Sequence, residues 1–442
     1  ANLLPCDRFD NLFLAADSRN RADWLLGVNS SYAICKAVGF GNNSLGRVQT
    51  PVLAEICRRY RERENHMPAD SWPVFISLCK NDRILKMRHV DDLVVRREAL
   101  ALYEDCKAAK SVRITAVGKR TEEIGAPALY NLAELQKDAN RYHSLTAIQV
   151  QEIAQSLYEK RLISYPRTSS RLLPKDVYDT LPPVMEKMLS RKEFRQYAGM
   201  VDLAAPQDSI GAQDTMEHHA IIITGTQPGK LDREEMLVYT LIVGRMLETF
   251  MPPCKVEYTT VDTVCAARKF RIRTYRILEK GWLGIFEREH LVAKGCMPYL
   301  VMPDLFQEEI LPVAGCSLIH KKSLPVSPYT DEELVDYMDK AGLGTVSTRT
   351  NILRTLLERK YIRYSGKYVV PTPKGLFLYE TVRSMKVADA SLTSGWETEL
   401  ARIERGELSQ EKFLDGVLET VNEVTGEIFR NHPVKKRPQG TT

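Results

Sequence analysis

Tyr165 and Arg167, separated by one proline, are the side chains best suited to phosphoryl chemistry. They lie in the run Leu162-Ile163-Ser164-Tyr165-Pro166-Arg167-Thr168-Ser169-Ser170-Arg171. A phenol with a pKa near ~10 is a weak nucleophile at neutral pH and needs help to react as phenolate. A permanent guanidinium two residues on would give that help, and its planar fork can bind a phosphate through two N–H donors. Pro166 cannot continue a helix and biases Tyr165 toward extended backbone, so the phenol is expected on a stiff corner. The plainer alternative is a structural tyrosine at a helix exit beside a surface arginine.

Two further sets carry groups for protons or phosphates. Glu217-His218-His219-Ala220-Ile221-Ile222-Ile223-Thr224 holds adjacent imidazoles, which on an extended chain point to opposite sides. No Cys or acidic cluster completes a metal set with them, so no metal is expected to be bound by this chain. Gly41-Asn42-Asn43-Ser44-Leu45-Gly46-Arg47-Val48-Gln49-Thr50-Pro51 is a polar loop that should launch a helix from Val52 to Arg63. Arg47, Gln49 and Thr50 then sit where free N–H groups and the helix dipole make a phosphate seat. The alternative there is a capping turn whose Arg47 faces water.

The elements that must hold these groups are legible in outline. Thr146-Ala147-Ile148-Gln149 has capping-box spacing, and Val150, Ile153, Ala154 and Leu157 share one helical face, which predicts an amphipathic helix ending near Arg161. Helical patterning also runs from Phe9 through Gly27. Strand-like alternation occupies Trp72 to about Val117 and returns from about Val256 to Glu279. The stretch from Pro127 to Pro252 between them is helical, which suggests one β-rich domain interrupted by an excursion that carries Tyr165. Later, a helix from Tyr329, a break at Ala341-Gly342-Leu343-Gly344-Thr345, a second helix from Ser347-Thr348-Arg349 and a hairpin over Tyr361–Val370 form a helix-turn-helix with a wing.

At 442 residues, 44% hydrophobic and 27% charged, the chain has the composition of a multi-domain globular protein. No apolar run is long enough to span a bilayer and Ala1-Asn2-Leu3-Leu4-Pro5 is unlike a signal peptide, so no membrane association and a cytoplasmic location are expected. The nine cysteines include no C-x-x-C pair, which argues against a zinc ribbon or a disulfide framework. A net charge of +5 is small for this length. The clusters Arg58-Arg59-Tyr60-Arg61, Arg268-Lys269-Phe270-Arg271-Ile272-Arg273 and Lys435-Lys436-Arg437 permit a polyanionic partner.

LISYPRTSSR resembles the Y-P-R-T-D-S-R segment of type IA DNA topoisomerases, with Ser169 where that family most often has Asp. SLGRVQTP resembles the family's S-x-x-R-V-Q-T-P, and LYNLAELQ resembles its L-Y-D-L-x-x-L-Q. EHHAIIIT is similar to the H-H-A-I-I-P-T of topoisomerase III-like members, with Ile223 for Pro. GLGTVSTR and Leu392-Thr393-Ser394-Gly395-Trp396-Glu397 match G-I-G-T-P-A-T-R and L-T-x-x-W-E. The resemblance implies a multi-domain α+β toroid core, with helical domains containing winged-helix-like modules and a β-rich hinge arch. It divides the chain into a helical DNA-binding domain (1–65 and 326–431), a hinge domain (66–122 and 254–325), a tyrosine-bearing helical domain (123–253) and a disordered basic tail (432–442).

It further implies cleavage and rejoining of single-stranded DNA through a 5′-phosphotyrosine at Tyr165, with Arg167 and His218 stabilising the reacting phosphate. Arg47, Gln49, Thr168, Arg171, His219, Thr348 and Arg349 are the implied DNA contacts. The family's Toprim domain, whose D-x-D-x-E cluster holds magnesium, has no counterpart here: Asp91-Asp92 and Glu122-Glu123 lack its spacing. Residue 1 falls where Toprim would end, so magnesium and a Toprim-bearing chain or domain are expected partners of the full enzyme. The alternative function is a non-catalytic single-stranded DNA clamp.

Overall fold

The structure, a computed structural model, describes residues 5–38, 42–192, 194–203, 218–298, 303–346 and 348–432. Glu217, Ser347 and the tail from residue 433 lie outside the described residues, as do residues 1–4 and Gly41.

A seven-stranded sheet forms the β-rich part. Its order is Arg83–His89, Val74–Lys80, Ile310–Leu318, Ser111–Ile124, Cys254–Cys265, Arg268–Glu279 and Met297–Pro298. Arg83–His89 also pairs with Arg268–Glu279, through Arg88↔Arg271 and His89↔Phe270, so the sheet closes on itself and protects those edges. Alternation along the strands turns Val74, Ile76, Leu78, Met87, Ile114, Val261 and Phe270 into one core. The helix Arg96–Ala108 packs Ala99, Leu102 and Cys106 onto it. That helix is an addition to the short strand-like runs expected between Trp72 and about Val117: only three buried positions mark its inner face.

The long antiparallel pair Ser111–Ile124 and Cys254–Cys265 ends with Ile124 opposite Cys254. The helical excursion therefore leaves the sheet and returns to it at facing residues, and the ribbon is its stalk. Its core gathers Tyr130, Leu135, Val150, Leu157, Ile163, Ile221, Ile242 and Met246 from Leu132–His143, Ala147–Glu159, Arg233–Thr249 and the segments between them. Capping boxes at Thr146 with Gln149 and at Asp232 with Glu235 start two of these helices. Where the excursion meets the sheet, Gly244 touches the Phe286 ring so closely that an added Cβ would lie 2.0 Å from it. Behind that contact Asp138 accepts from Arg245 (2.8 Å) and Arg288 (2.9 Å), which fixes the excursion to the returning chain.

The third unit joins both ends of the chain. Expected helical patterning near Phe9–Gly27 is one helix, Asp10–Val38, whose small buried residues Ala15, Ser18, Ala22, Ser30 and Ala33 let Ala390–Glu404 and Gln410–Asn431 approach. Gln49–Glu64 begins three residues before the expected Val52. Asp331–Lys340, Arg349–Glu358 and the hairpin Ile362–Ser365 with Tyr368–Pro371 form the helix-turn-helix and wing, and Tyr329–Thr330 adds a third strand. The excursion docks on this unit through Lys137–Asp336 (2.8 Å), Gln136 Nε2 donating to Thr350 Oγ1 (3.1 Å) and the Ala147 N–H donating to Asp331 (2.7 Å).

Candidate active site

The tyrosine corner follows from how its helix ends. Ala147–Glu159 stops two residues before Arg161, which turns into the left-handed region at φ +59°, and Leu162 N–H closes the turn on Leu157 O (2.9 Å). The chain then runs extended against residues 218–224. Ile163 bridges Ile223, Tyr130 bridges Ile221, and Ser164 N–H donates to Ile222 O (2.8 Å). Ser164 Oγ donates to Ala220 O (3.0 Å) and accepts from Ile222 N–H (3.0 Å), so its hydroxyl satisfies two backbone groups of the facing segment.

That pairing brings His218 to Tyr165. Their ring centroids are 4.5 Å apart at 51°, and Tyr158 also meets Tyr165 edge to face at 5.4 Å. His218 is exposed and Tyr165 partly so. His219 has Nδ1 2.7 Å from Ala220 O and lines a cavity that Tyr165 also lines. Arg167 makes no ion pair among the described residues, and its buried Nε has no hydrogen-bond partner. Burying a guanidinium N–H without an acceptor is costly, and an anion at this corner would remove the cost.

Two residues of the motif have internal duties instead. Thr168 is 2% exposed; its hydroxyl donates to His218 O (2.9 Å) and accepts from Ser170 N–H (3.0 Å). Arg171 donates to Leu129 O and Ala128 O, both at 3.1 Å, and clamps the entry to the excursion. Both are thereby tied to backbone carbonyls of this domain. Among the described residues no cluster of three or more His, Cys, Asp or Glu could hold a metal ion.

Three of the remaining expected contacts, Arg47, Gln49 and Thr348, line a second cleft of about 280 Å3, where Gly46, Arg47 and Gln49 face Gly344, Thr345 and Thr348. The two motifs, about three hundred residues apart in the sequence, thus form one feature. Its charge is spent, however. Arg47 is 5% exposed and pairs with Asp23 (2.7 Å) and Glu397 (2.8 Å), and Glu397 also holds Arg19 (2.6 Å). Burial opposes the charge on Arg47, but the two carboxylates outweigh it and raise its pKa. The alternative of an Arg47 facing water is corrected accordingly: it is a buried ion-pair hub at the edge of the cleft. Gln49 accepts from Arg359 (2.8 Å), and Thr348 Oγ1 accepts from Thr345 N–H (2.8 Å). Arg349 pairs with Asp339 (2.7 Å) while its buried Nε and Nη1 have no partner.

Sequence reasoning missed Tyr158 and the Asp138–Arg245–Arg288 hub. Tyr158, seven residues before Tyr165 beyond the helix end, carried no motif. The hub joins residues 107 and 150 positions apart, for which one sequence holds no signal.

A family model described as DNA topoisomerase matches residues 7–415. "DNA topoisomerase 1" of Methanocaldococcus jannaschii is 29% identical over 407 residues, covering 91% of this chain and 52% of that protein. "DNA topoisomerase 3" of Bacillus licheniformis is 28% identical over 459 residues, covering 97% of this chain and 62% of that protein. Full-length topoisomerase I from Thermotoga maritima has a similar fold, with a TM-score of 0.74 at 20% identity over 94% of this chain and 68% of that one. The chain spans between 52% and 62% of the length of these two curated relatives.

Proposed function

We propose, from the premise that this chain belongs to the type IA DNA topoisomerase family, that it cuts and rejoins single-stranded DNA through Tyr165. The observation that carries this reading is the corner where Tyr165 lies against His218 and Arg167 has a buried, unpartnered N–H. The Tyr165 oxygen attacks the phosphorus of a phosphodiester, a bond to the tyrosine forms and the bond to the 3′ oxygen breaks. The phenol proton passes to His218 or to water, and the departing 3′ oxygen takes up a proton. Arg167 neutralises the charge that gathers on the non-bridging oxygens. The freed 3′ hydroxyl later reverses the attack and expels Tyr165, after another strand has passed.

Magnesium is general to the family. Among the described residues no set of His, Cys, Asp or Glu donors fits it. A Toprim-bearing chain or domain is our expectation for where it binds. The HHAIII segment favours the topoisomerase III-like branch, although the relatives carry both names.

The test is plasmid relaxation run three ways: this chain with magnesium, this chain mixed with a separately expressed Toprim domain, and a contiguous fusion. We expect single-stranded DNA binding in all three and relaxation only with Toprim present. Relaxation by the chain alone contradicts the division of labour. Binding without relaxation or adducts in every arm favours the clamp.

A further inference from the structure

Beside Tyr165 lies a cavity of about 660 Å3, large enough for a nucleotide. Tyr165 is one of its walls. Leu181, Val184 and Ile222 give it apolar sides, and Tyr158, 40% exposed, offers part of its ring. Its polar rim is mostly committed: Thr180 Oγ1 donates to Val177 O (2.7 Å), Thr224 Oγ1 donates to Arg161 O (2.6 Å), and Glu159 accepts from Gln155 (3.0 Å).

Arg161, which lines the cavity along with His219, is its uncommitted charged group. Its backbone is left-handed at φ +59°, a conformation that costs any residue with a bulky side chain and costs glycine nothing. Tyr158 O and Thr224 Oγ1 hold it there. Yet its exposed guanidinium makes no ion pair or hydrogen bond among the described residues. Among the described residues the fold bears the strain of an arginine and draws no ion pair or hydrogen bond from its guanidinium, and strain of this kind collects at functional sites.

We infer that the cavity receives the first nucleotide on the 3′ side of the cleaved phosphate, its base against Tyr158 and its following phosphate on Arg161. This rests on Tyr165 taking the 5′ phosphate. A nucleotide so joined is tethered to the cavity wall, with one sugar between the phosphate and the base. Stacking on an aromatic face tolerates every base, so the site grips the cut end without selecting sequence. Arg161 neutralises the next phosphate and keeps the end seated while the 3′ hydroxyl is away.

The test uses the full chain and a 5′-phosphorylated pentanucleotide with 2-aminopurine as its first base and fluorescein at its 3′ end. Binding to the wild-type chain should quench the 2-aminopurine, and Tyr158→Leu should abolish the quench. Arg161→Gly should weaken binding several-fold and flatten the salt dependence by about 0.7, one single-strand phosphate. Its thermal midpoint should hold or rise, because glycine relieves the strain; damaged folding would lower it. Unchanged affinity and slope in Arg161→Gly, or a quench that survives Tyr158→Leu, overturns the site. Failure of the wild-type chain to bind any single-stranded DNA overturns the proposed function as well. Normal binding of a long strand with a silent Arg161→Gly overturns this site alone.

Discussion

Thr168 Oγ1 donates a 2.9 Å hydrogen bond to the carbonyl of His218, so the segment bearing the tyrosine is pinned to the one bearing the histidine. The same oxygen accepts from Ser170 N–H and shapes the turn that follows Arg167. Thr168→Val keeps the volume and removes both bonds. It should cost about 1–2 kcal/mol in urea unfolding and slow adduct formation while leaving affinity for single-stranded DNA unchanged. Thr168→Ser should restore the rate. A loss of affinity equal to the loss of rate would make Thr168 a DNA contact instead.

Arg167 and Arg47 should behave oppositely when cut to alanine. Arg167 has no carboxylate partner among the described residues, so Arg167→Ala should leave the urea midpoint nearly unchanged while weakening DNA binding and reducing the salt slope by about 0.7. Arg47 is shared between Asp23 and Glu397, which are 46% and 34% exposed. Arg47→Ala should therefore destabilise by about 2–3 kcal/mol, below the cost of stranding fully buried charges. Salt titrations and urea curves on both variants decide this. A stable Arg47→Ala protein with a flattened slope would return Arg47 to the DNA.

Glu248 gives the excursion a pH dependence. It is fully buried, with Oε2 3.1 Å from Arg245 Nε and 3.8 Å from Arg288, near enough for attraction but not aligned as hydrogen bonds. Burial outweighs both arginines and pushes its carboxyl up to about 7. The folded state thus holds a proton that the unfolded chain releases near pH ~4.5. The resulting stabilisation is full below that pH and is lost as pH rises through about 7. Urea midpoints between pH 5 and 7.5 should fall for the wild-type chain and stay flatter for Glu248→Gln. Parallel curves would show that Glu248 does not titrate in this range.

What the sequence could show depended on distance along the chain. The capping box at Thr146 and the wing hairpin were readable because their partners lie a few residues apart. The ending near Arg161 was two residues late because the strained turn has no glycine to mark it. The helix Arg96–Ala108 was hidden between strands by its narrow inner face. Tyr165 and His218 were each identified by motif, but their contact depends on pairing residues 162–164 with 222–224, some sixty positions on. Arg47 is legible as a cation at a helix start, but its ion-pair partners lie 24 and 350 residues away, beyond what a local motif can show.

Whether Tyr165 takes the 5′ phosphate of a cut strand is the claim on which the rest depends. It can be read from one denaturing gel. A single-stranded oligonucleotide labelled at its 3′ end in one tube and its 5′ end in another is incubated with the wild-type chain, with magnesium and the Toprim domain supplied. The chain should retain the 3′ label only, and the modified peptide should contain Tyr165. Tyr165→Phe, which lacks the attacking oxygen, should bind the same DNA and retain no label. A labelled band with Tyr165→Phe, or retention of the 5′ label by the wild-type chain, would contradict the account.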